Sequence, residues 1–255
     1  KQPILTNVDM QKIRKISEIG DNHFVSRVLD TTFDKNTGYT GFEKCLENIC
    51  IKSENVVKEG GNIIVLSDRQ FGKNRIALPA LLAIASVHHH LIRKGLRTAV
   101  GLVVESAEPR EVHHFAVLAG YGAEAINPYM AFDTILDLKK KNMLSKDVSE
   151  TEAVSRYIKS VNKGLLKVMS KMGISTYQSY CGAQIFDAVG LSEEFVSKYF
   201  KGTSTQISGV GINEIAKETI TRHEEAYSNL EVLRDSLDVG CLLYTSPSPR
   251  DFEAS

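Results

Sequence analysis

Four short apolar segments between residues 25 and 128 each end in polar side chains, and each is followed by a helical pattern. The polar residues at the four ends are Asp30-Thr31-Thr32, Ser67-Asp68-Arg69, Glu105-Ser106 and Asn127-Pro128. Strands that alternate with helices in this way form parallel sheets with right-handed connections. The sequence therefore predicts an α/β fold with about four parallel strands, flanked by helices and followed by a helical C-terminal portion.

The composition is that of an ordinary globular protein, with 42% hydrophobic and 24% charged residues among 255. Because Lys+Arg and Asp+Glu number 31 each, no net field attracts nucleic acid or an anionic membrane. The longest apolar run, residues 76–87, is shorter than the roughly 20 residues that cross a bilayer, and it predicts a buried helix. We therefore expect neither a nucleic-acid partner nor a membrane.

Hydrophobic periodicity and capping residues give the expected elements. The predicted strands are residues 25–32, 62–66, 98–104 and 124–127, with 173–177 as a short fifth strand and 203–211 as a loop. The predicted helices are residues 9–18, 41–58, 76–94, 110–119, 130–141, 151–172, a segment ending at 189, 192–200 and 213–233. Asn7 or Asp9 is expected to cap the first helix, and Pro79 suits the first turn of the third.

The two ends of the chain call for separate treatment. The chain begins at Lys1 without an initiator methionine, so we expect a fragment of a longer protein. Residues 237–255 resemble a translated sequencing adapter, and we treat them as a non-native tail. The remainder divides into one domain, residues 1–227, and the start of a linker, residues 228–236.

Four cysteines occur without a CxxC pair, at Cys45, Cys50, Cys181 and Cys241. Cys45 and Cys50 lie on opposite sides of a predicted helix and cannot form a disulfide there. We expect reduced thiols. Cys181 is also a candidate nucleophile, but no orienting acid or oxyanion site accompanies it, so inert packing is the preferred interpretation.

Two histidine motifs invite a metal hypothesis. The side chains of His88, His89 and His90 point about 100° apart on a helix, so they cannot face one ion, and hydrogen bonds to neighbouring loops are favoured. Glu111 and His114 have the ExxH spacing of di-metal bundles, but no second such motif accompanies them. Structural histidines are the expectation for both motifs.

A glycine-containing segment, residues 208–211, precedes the last predicted helix and invites a phosphate-binding hypothesis. It lacks the GxGxxG spacing, and no strong strand precedes it. A hinge or interdomain turn is the favoured interpretation.

The strongest candidate site lies at the ends of the predicted strands, where side chains leave the core and meet at one edge. Its members are Ser67, Asp68, Arg69, Glu105 and Asn127. One interpretation is a polar rim that faces a neighbouring domain or a channel. The other interpretation is that Asp68 and Glu105 cap backbone donors of the adjoining loops.

Several ordered segments carry a family resemblance. They are residues 64–69 (IVLSDR), 85–93 (ASVHHHLIR), 101–106 (GLVVES), 110–116 (REVHHFA), 120–123 (GYGA) and 163–174 (KGLLKVMSKMGI). Together they closely resemble the central domain of the large subunit of glutamate synthase, the glutamine–2-oxoglutarate aminotransferase. The resemblance covers roughly residues 3–227, and residues 222–227 resemble the linker that leads to the flavin domain of that family.

The resemblance implies a connector within a larger oxidoreductase. In such an enzyme, an amidotransferase domain releases ammonia from glutamine, and a barrel domain with FMN and an iron–sulfur cluster makes glutamate from 2-oxoglutarate. The central domain is expected to lie between them, to resemble half a barrel and to help form the ammonia tunnel. The family's catalytic cysteine, flavin loops and cluster cysteines have no counterpart here, so the fragment is expected to be inactive and to bind no cofactor itself.

Further expectations follow from the same resemblance. The partners are the amidotransferase and FMN domains of the same parent chain, with a small subunit or ferredoxin as electron donor, a choice that the sequence leaves open. A cytoplasmic location is expected, or a plastid if the source is photosynthetic. The alternative function is a free-standing α/β enzyme or binding domain that holds a small anionic ligand at the strand edge, using Arg69 and a helix N-terminus.

Overall fold

The computed structural model describes residues 2–19 and 23–228. The strands are β1 (Ser26–Asp30), β2 (Thr32–Asp34), β3 (Ile63–Ser67), β4 (Arg75–Ala77), β5 (Gly101–Glu105), β6 (Ala125–Asn127), β7 (Asp187–Leu191) and β8 (Ser204–Val210). The helices are α1 (Asn7–Arg14), α2 (Ile16–Ile19), α3 (Gly38–Lys58), α4 (Ala80–Arg93), α5 (Val112–Gly120), α6 (Tyr129–Lys140), α7 (Glu150–Lys171), α8 (Tyr177–Tyr180), α9 (Glu193–Tyr199) and α10 (Ile212–Ala226).

The predicted α/β architecture is confirmed. Strands β1, β3, β5 and β6 form a four-stranded parallel sheet in that order. Residues 3–5 extend it beyond β6, because the backbone N–H of Leu5 donates to Ile126 (2.8 Å) and that of Ile126 donates to Pro3 (2.9 Å). Each parallel connection within the sheet contains at least one helix, as the βαβ rhythm predicts.

The two faces of the sheet are covered unequally. Apolar side chains on one face, such as Ile64 and Leu102, belong to a large core that includes residues of α3, α4, α5 and α7. On the other face, Val65 and Val103 pack with Met10 of α1 in a small separate cluster. Within residues 2–19 and 23–228, α1 and the segment before it, which contributes Leu5, cover this second face of the sheet.

The helix α1 begins two residues earlier than predicted. The Thr6 hydroxyl accepts the backbone N–H of Asp9 (3.2 Å), and the Asp9 carboxylate accepts the backbone N–H of Thr6 (3.1 Å). This reciprocal capping box makes Thr6 the N-cap, and Asp9 supports the cap from within the first turn. The prediction that Asn7 or Asp9 is the cap is therefore wrong by one to three positions.

A second small sheet replaces the predicted start of α4. Residues 75–77 form β4, which pairs antiparallel with β2. Because the residue before a proline avoids the helical region, α4 begins only after Pro79, which is its N-cap. The prediction of helix from residue 76 is wrong for this reason.

The C-terminal third of the domain departs most from prediction. Residues 187–191 and 204–210, predicted as helix end and loop, form β7 and β8, which pair in parallel and are connected through α9. The fifth strand predicted at 173–177 is absent from the described structure, and α8 begins at Tyr177. The predicted hinge at 208–211 is likewise wrong over residues 208–210, which lie in β8.

The chain divides into two compact units, residues 1–220 and 221–255, and the second is described over 221–228, which includes the end of α10. The described thiols Cys45, Cys50 and Cys181 are free. Cys241, residues 237–255, which the sequence predicts to be a non-native tail, and nearly all of the predicted linker lie outside the described residues. Of the helices in the described part, none combines the length and hydrophobicity that crossing a membrane requires.

Candidate functional site

The last residues of the four parallel strands lie side by side. The register places Asp30 opposite Ser67, Ser67 opposite Glu105 and Glu105 opposite Asn127. Because residues in register across a sheet share one face, these side chains form a row on the α1 side. We give the name strand-end cluster to five residues, which are Ser67, Glu105 and Asn127 of this row together with Asp68 and Arg69.

The carboxylate of Glu105 is the centre of this cluster, and its side chain is fully buried. One oxygen, Oε2, accepts from the Ser67 hydroxyl (2.6 Å) and from the guanidinium of Arg14. The other, Oε1, accepts from Nε of Arg69 (2.8 Å). Two arginines thus neutralise a charge that burial would otherwise make very costly.

Asp68 connects the ends of three neighbouring segments. Its carboxylate accepts from the hydroxyls of Ser106 and Tyr129, both at 2.6 Å, and from the backbone N–H of Ala107 at 3.0 Å. Burial raises the pKa of the Asp68 carboxyl, while these hydrogen bonds oppose that rise. Asp68 therefore holds the loop after β5 against the start of α6.

Arg69 and Asn127 complete the cluster. The Arg69 guanidinium lies 4.1 Å from the centre of the Tyr129 ring and reaches Oδ1 of Asn7 at 3.4 Å. The amide nitrogen of Asn127 donates to the carbonyl of Leu5 (2.9 Å) and to Oδ1 of Asn7 (3.1 Å). The cluster is thereby tied both to the segment before α1 and to α6.

The structure brings all five predicted site residues together at one edge of the sheet. The capping interpretation describes the contacts of Asp68, which accepts a loop N–H. It is wrong for Glu105, which pairs with Arg14 and Arg69 instead of a backbone donor. Whether the edge faces another domain or a channel stays a prediction.

Sequence reasoning missed Arg14 as a member of this site. Arg14 lies four residues after Met10, so both side chains project from the same face of α1. Because Met10 packs on the sheet, the four-residue spacing also places the Arg14 guanidinium over the sheet. This spacing is the sequence signal that could have identified Arg14. Two polar atoms of the site, Nε of Arg14 and Oδ1 of Asn127, are buried without a partner.

The histidine predictions can be compared with side-chain contacts. Nδ1 of His88 accepts from Nε of Arg97 (2.9 Å), and Nε2 of His90 lies 3.0 Å from Oε2 of Glu54. Burial lowers the pKa of His88 to about 3, and the positive charge of Arg97 makes a smaller contribution in the same direction. The ring is therefore neutral at physiological pH. His89 is buried, with Nε2 unpartnered.

The ExxH pair makes a local contact, since Nε2 of His114 lies 3.2 Å from Oε1 of Glu111. In the described residues, no cluster of three or more His, Cys, Asp or Glu side chains is arranged to hold a metal.

The remaining candidates have contacts that argue against chemistry. Burial raises the pKa of the Cys181 thiol to about 12, which disfavours the reactive thiolate. The backbone N–H of Gly211, which a phosphate would need, donates to Oε2 of Glu214 at 2.9 Å. Gly209 lies in β8, where a Cβ would meet the carbonyl oxygen of Gly190 at 2.2 Å. Gly209 therefore serves the close packing of β8 against β7, and the amide of Gly211 is already engaged by Glu214.

The fold and the strand-end cluster define a parallel α/β domain whose edge side chains are engaged with one another. Comparison with known proteins identifies the family of this domain. A family model described as the glutamate synthase central domain matches residues 1–192. The chain belongs to this family, as the resemblance in its sequence predicts.

The chain is similar to large glutamate synthase chains from distant organisms. It is 44% identical over 227 residues to the NADPH glutamate synthase large chain of Bacillus subtilis, covering 89% of this chain and 14% of that one. It is 40% identical to the NADH glutamate synthase of Schizosaccharomyces pombe, covering 91% of this chain and 11% of that one. It is also 40% identical to the chloroplastic ferredoxin-dependent glutamate synthase 2 of Arabidopsis thaliana, and the similarity covers 89% of this chain and 14% of that one. The chain thus spans about a seventh or less of these relatives.

Proposed function

We propose that this chain is the connector domain of a glutamate synthase large chain. In this proposal it lies between a glutamine amidotransferase domain and an FMN domain and forms part of the wall of the ammonia path between them. The match of residues 1–192 to the central-domain family carries the proposal. The chain alone is then a piece of an oxidoreductase and makes no glutamate by itself.

The strand-end cluster supports a role in structure over one in catalysis. The carboxylates of Asp68 and Glu105 are buried and engaged in hydrogen bonds or ion pairs. Groups so engaged are poorly placed to exchange protons with a substrate. A fixed wall suits a path that must keep ammonia out of bulk water until it meets the bound oxo acid.

The cofactors of the proposed enzyme are assigned to other parts of the parent chain. An iron–sulfur cluster needs several thiolate ligands, and burial raises the pKa of Cys45 to about 11 and of Cys50 to about 12. The described residues of this chain therefore do not suit a cluster. The electron donor is NADPH, NADH or ferredoxin, as the names of different relatives state for those proteins.

The test uses a full-length enzyme in which this sequence replaces the aligned segment of the Bacillus subtilis large chain. We expect Arg69→Gln to lower the amount of glutamate formed per glutamine hydrolysed, because it loosens the loop after β3 from Glu105 and Tyr129. The measurement is the amount of glutamate formed for each glutamine consumed, which approaches two when the released ammonia is captured by 2-oxoglutarate and one when it escapes. The matched control is Arg156→Gln, which removes an exposed guanidinium from α7. An unchanged ratio in Arg69→Gln contradicts the proposed role of this edge.

A free-standing domain for a small anionic ligand is the competing function. It would use Arg69, whose guanidinium is already engaged with Glu105, Tyr129 and Asn7. Two measurements on the isolated chain distinguish the two functions. One is the shift in unfolding temperature when 2-oxoglutarate or inorganic phosphate is added, and the other is the flavin absorbance of the purified chain. The connector proposal expects no shift in the unfolding temperature and no flavin spectrum, and either signal favours the alternative.

A further inference from the structure

The helix α7 carries an array of lysines on its exposed side. Lys159, Lys163, Lys167 and Lys171 follow one another at intervals of four residues, and all four are exposed. Because each step of four residues turns about 40° around a helix, the four side chains lie within an arc of roughly 120° and along about 18 Å of the helix axis. We name these four residues the lysine face.

The segment that contains the lysine face has no acidic residue. Residues 153–186 include five Lys and Arg and no Asp or Glu, in a chain where the two classes number 31 each. In the part of the chain that the structure describes, none of the four lysines forms an ion pair. By contrast, Lys58, Lys141 and Arg156 each pair with an acid four residues earlier on their own helix. The charge of the lysine face is therefore not neutralised by the described residues.

The spacing of the lysine face is unfavourable for an isolated surface helix. Like charges four residues apart repel one another and destabilise a helix, and here three such pairs follow in succession. A solvated helix face gains stability when acids alternate with the cations, as Glu152 and Arg156 do at the start of α7. A partner of opposite charge would remove the repulsion, which gives the array a physical reason.

An uncharged groove adjoins the lysine face. It has a volume of about 440 Å³ and lies between α7 and two other segments, residues 2–3 and 175–177. Leu165 and Leu166 of α7 line it, and Leu166 is 63% exposed. Because Leu166 follows Lys163 by three residues, the groove and the lysine face share an edge of the helix. A polypeptide with an apolar side chain flanked by carboxylates fits both features.

We propose that the lysine face and the adjoining groove bind an acidic segment of a separate protein. Charge complementarity sets the sign of the partner, and the exposed Leu166 supplies an apolar contact beside it. Lysine is depleted in stable interfaces, where arginine is enriched, whereas an exposed lysine array accelerates encounters through its field. A partner that binds and leaves therefore fits this surface better than a permanently docked domain. The inference goes beyond the proposed function and does not depend on it.

A nucleic acid or an anionic membrane would meet the same positive charges. The balance of charge over the whole chain gives no wide field for either of them. The aromatic residue of the groove, Tyr177, donates its hydroxyl hydrogen to the carbonyl of Ala123 (2.7 Å) and is partly buried, so it offers no open ring for base stacking. An acidic protein segment is the occupant that uses both the lysines and the groove.

The experiment measures binding of a defined probe to the chain. The probe is a fluorescein-labelled peptide of repeated Glu-Glu-Leu-Glu, and fluorescence anisotropy gives its dissociation constant at low and at physiological salt. One control peptide has glutamine in place of glutamate, and another has serine in place of leucine. The proposal expects the probe to bind more tightly than either control peptide, with an affinity that falls as salt increases. Equal binding of the three peptides overturns the proposal.

The double variant Lys163→Glu/Lys167→Glu tests the lysine face. We expect it to weaken binding of the probe at least about 10-fold, because two attractive charges become repulsive. The new glutamates lie four residues from Lys159 and Lys171, so the variant helix gains ion pairs and remains folded. The matched control is Lys44→Glu/Lys52→Glu, which makes the same change in net charge at two exposed lysines of α3. An equal loss in both double variants overturns the proposal.

The variant Leu166→Ser tests the groove. It is expected to weaken binding of the leucine-containing probe while leaving the serine-containing peptide unaffected, because only the former has an apolar side chain for the groove. Equal effects on the two peptides contradict a shared site.

The class of partner is tested with two further probes and with the full-length enzyme described above. Tighter binding of poly-dT, or of vesicles of phosphatidylserine and phosphatidylcholine, than of the acidic peptide overturns the assignment to a protein partner. The full-length enzyme is expected to bind the peptide and to lose binding on Lys163→Glu/Lys167→Glu. Failure to bind there shows that the parent chain covers the lysine face, and it overturns the proposal. The yield of glutamate per glutamine is a separate measurement, so this inference and the proposed function fail independently.

Discussion

At the scale of single residues, Glu105 shows how a strand end gains a buried charge. Its position is set by the alternation of β5, which directs it to the same face as Val103. That face is covered by α1, which brings Arg14, while the loop after β3 brings Arg69. Burial of the carboxylate is tolerated because both cations are supplied by the same packing that excludes water.

Replacing Glu105 tests this interpretation. We expect Glu105→Gln to lower the free energy of unfolding by about 2 kcal/mol, because two partly exposed guanidinium groups lose their buried counter-ion. The measurement is urea unfolding of the chain. Glu152→Gln, which removes an exposed i,i+4 partner of Arg156, is expected to cost less than about 0.5 kcal/mol. Equal effects of the two changes contradict a central role for Glu105.

His88 predicts a pH dependence of stability. Its pKa in the folded chain, about 3, lies below its ordinary value of 6.5. As the pH falls, the unfolded chain therefore takes up a proton at His88 before the folded chain does. The contribution of His88 to the free energy of unfolding is fully present above pH 6.5 and is lost as the pH falls from 6.5 towards 3. We expect a loss of up to about 1.4 kcal/mol for each pH unit in this window.

The variant His88→Gln isolates this contribution, since a glutamine keeps an acceptor for Arg97 but does not titrate. Urea unfolding at several pH values between 7 and 5 should give a smaller slope for the variant than for the unaltered chain. Parallel slopes would show that His88 is not the group responsible. The neighbouring His89, whose pKa burial lowers to about 4, accounts for part of the slope that remains.

At the scale of elements, glycine decides whether β7 and β8 pair. Gly190 has φ of 76°, a left-handed conformation that L side chains rarely adopt, and Gly209 approaches its carbonyl oxygen closely. The register shifts on both sides of Val189, as expected for an irregular parallel pair. The backbones of the two strands approach each other at Gly190 and Gly209 more closely than a residue with a Cβ at position 209 would allow.

We therefore expect Gly209→Ala to lower the free energy of unfolding by about 1–3 kcal/mol, because the added methyl must separate the strands. The measurement is again urea unfolding, with amide exchange over residues 187–191 and 204–210 as the local readout. Gly72→Ala is the control, since a Cβ at Gly72 meets nothing within 4 Å. If the alanine at 209 leaves exchange in both strands unchanged, the close approach does not govern the pairing.

Elements with a strong local pattern were predictable from the sequence. The helices over residues 41–58 and 151–172 appear as α3 and α7 with ends shifted by at most three residues, because their apolar stripes are long. The strands β4 and β8 were not predictable, since three residues carry no periodicity and a Gly/Ser/Thr segment resembles a loop. Their pairing depends on partners distant in the sequence.

At the scale of the whole molecule, the chain is a layered α/β domain with uneven cover. In the described residues, the large core shields one face of the sheet, α1 and Leu5 shield the other, and the β7–β8 ribbon exposes aliphatic side chains. Such a distribution suits a domain that other parts of a longer protein complete. This agrees with relatives of which the chain spans about a seventh or less.

The sequence by itself determined the strand–helix rhythm, the four parallel strands, the family and the meeting of five polar residues at one edge. These follow from short-range patterns and from the rule that parallel strands end on the same side of a sheet. Only the tertiary structure decided that Arg14 neutralises Glu105, two residues separated by 91 positions, and that β7 pairs with β8. Such contacts depend on which surfaces are brought together when the apolar core is buried, and no local pattern encodes that geometry.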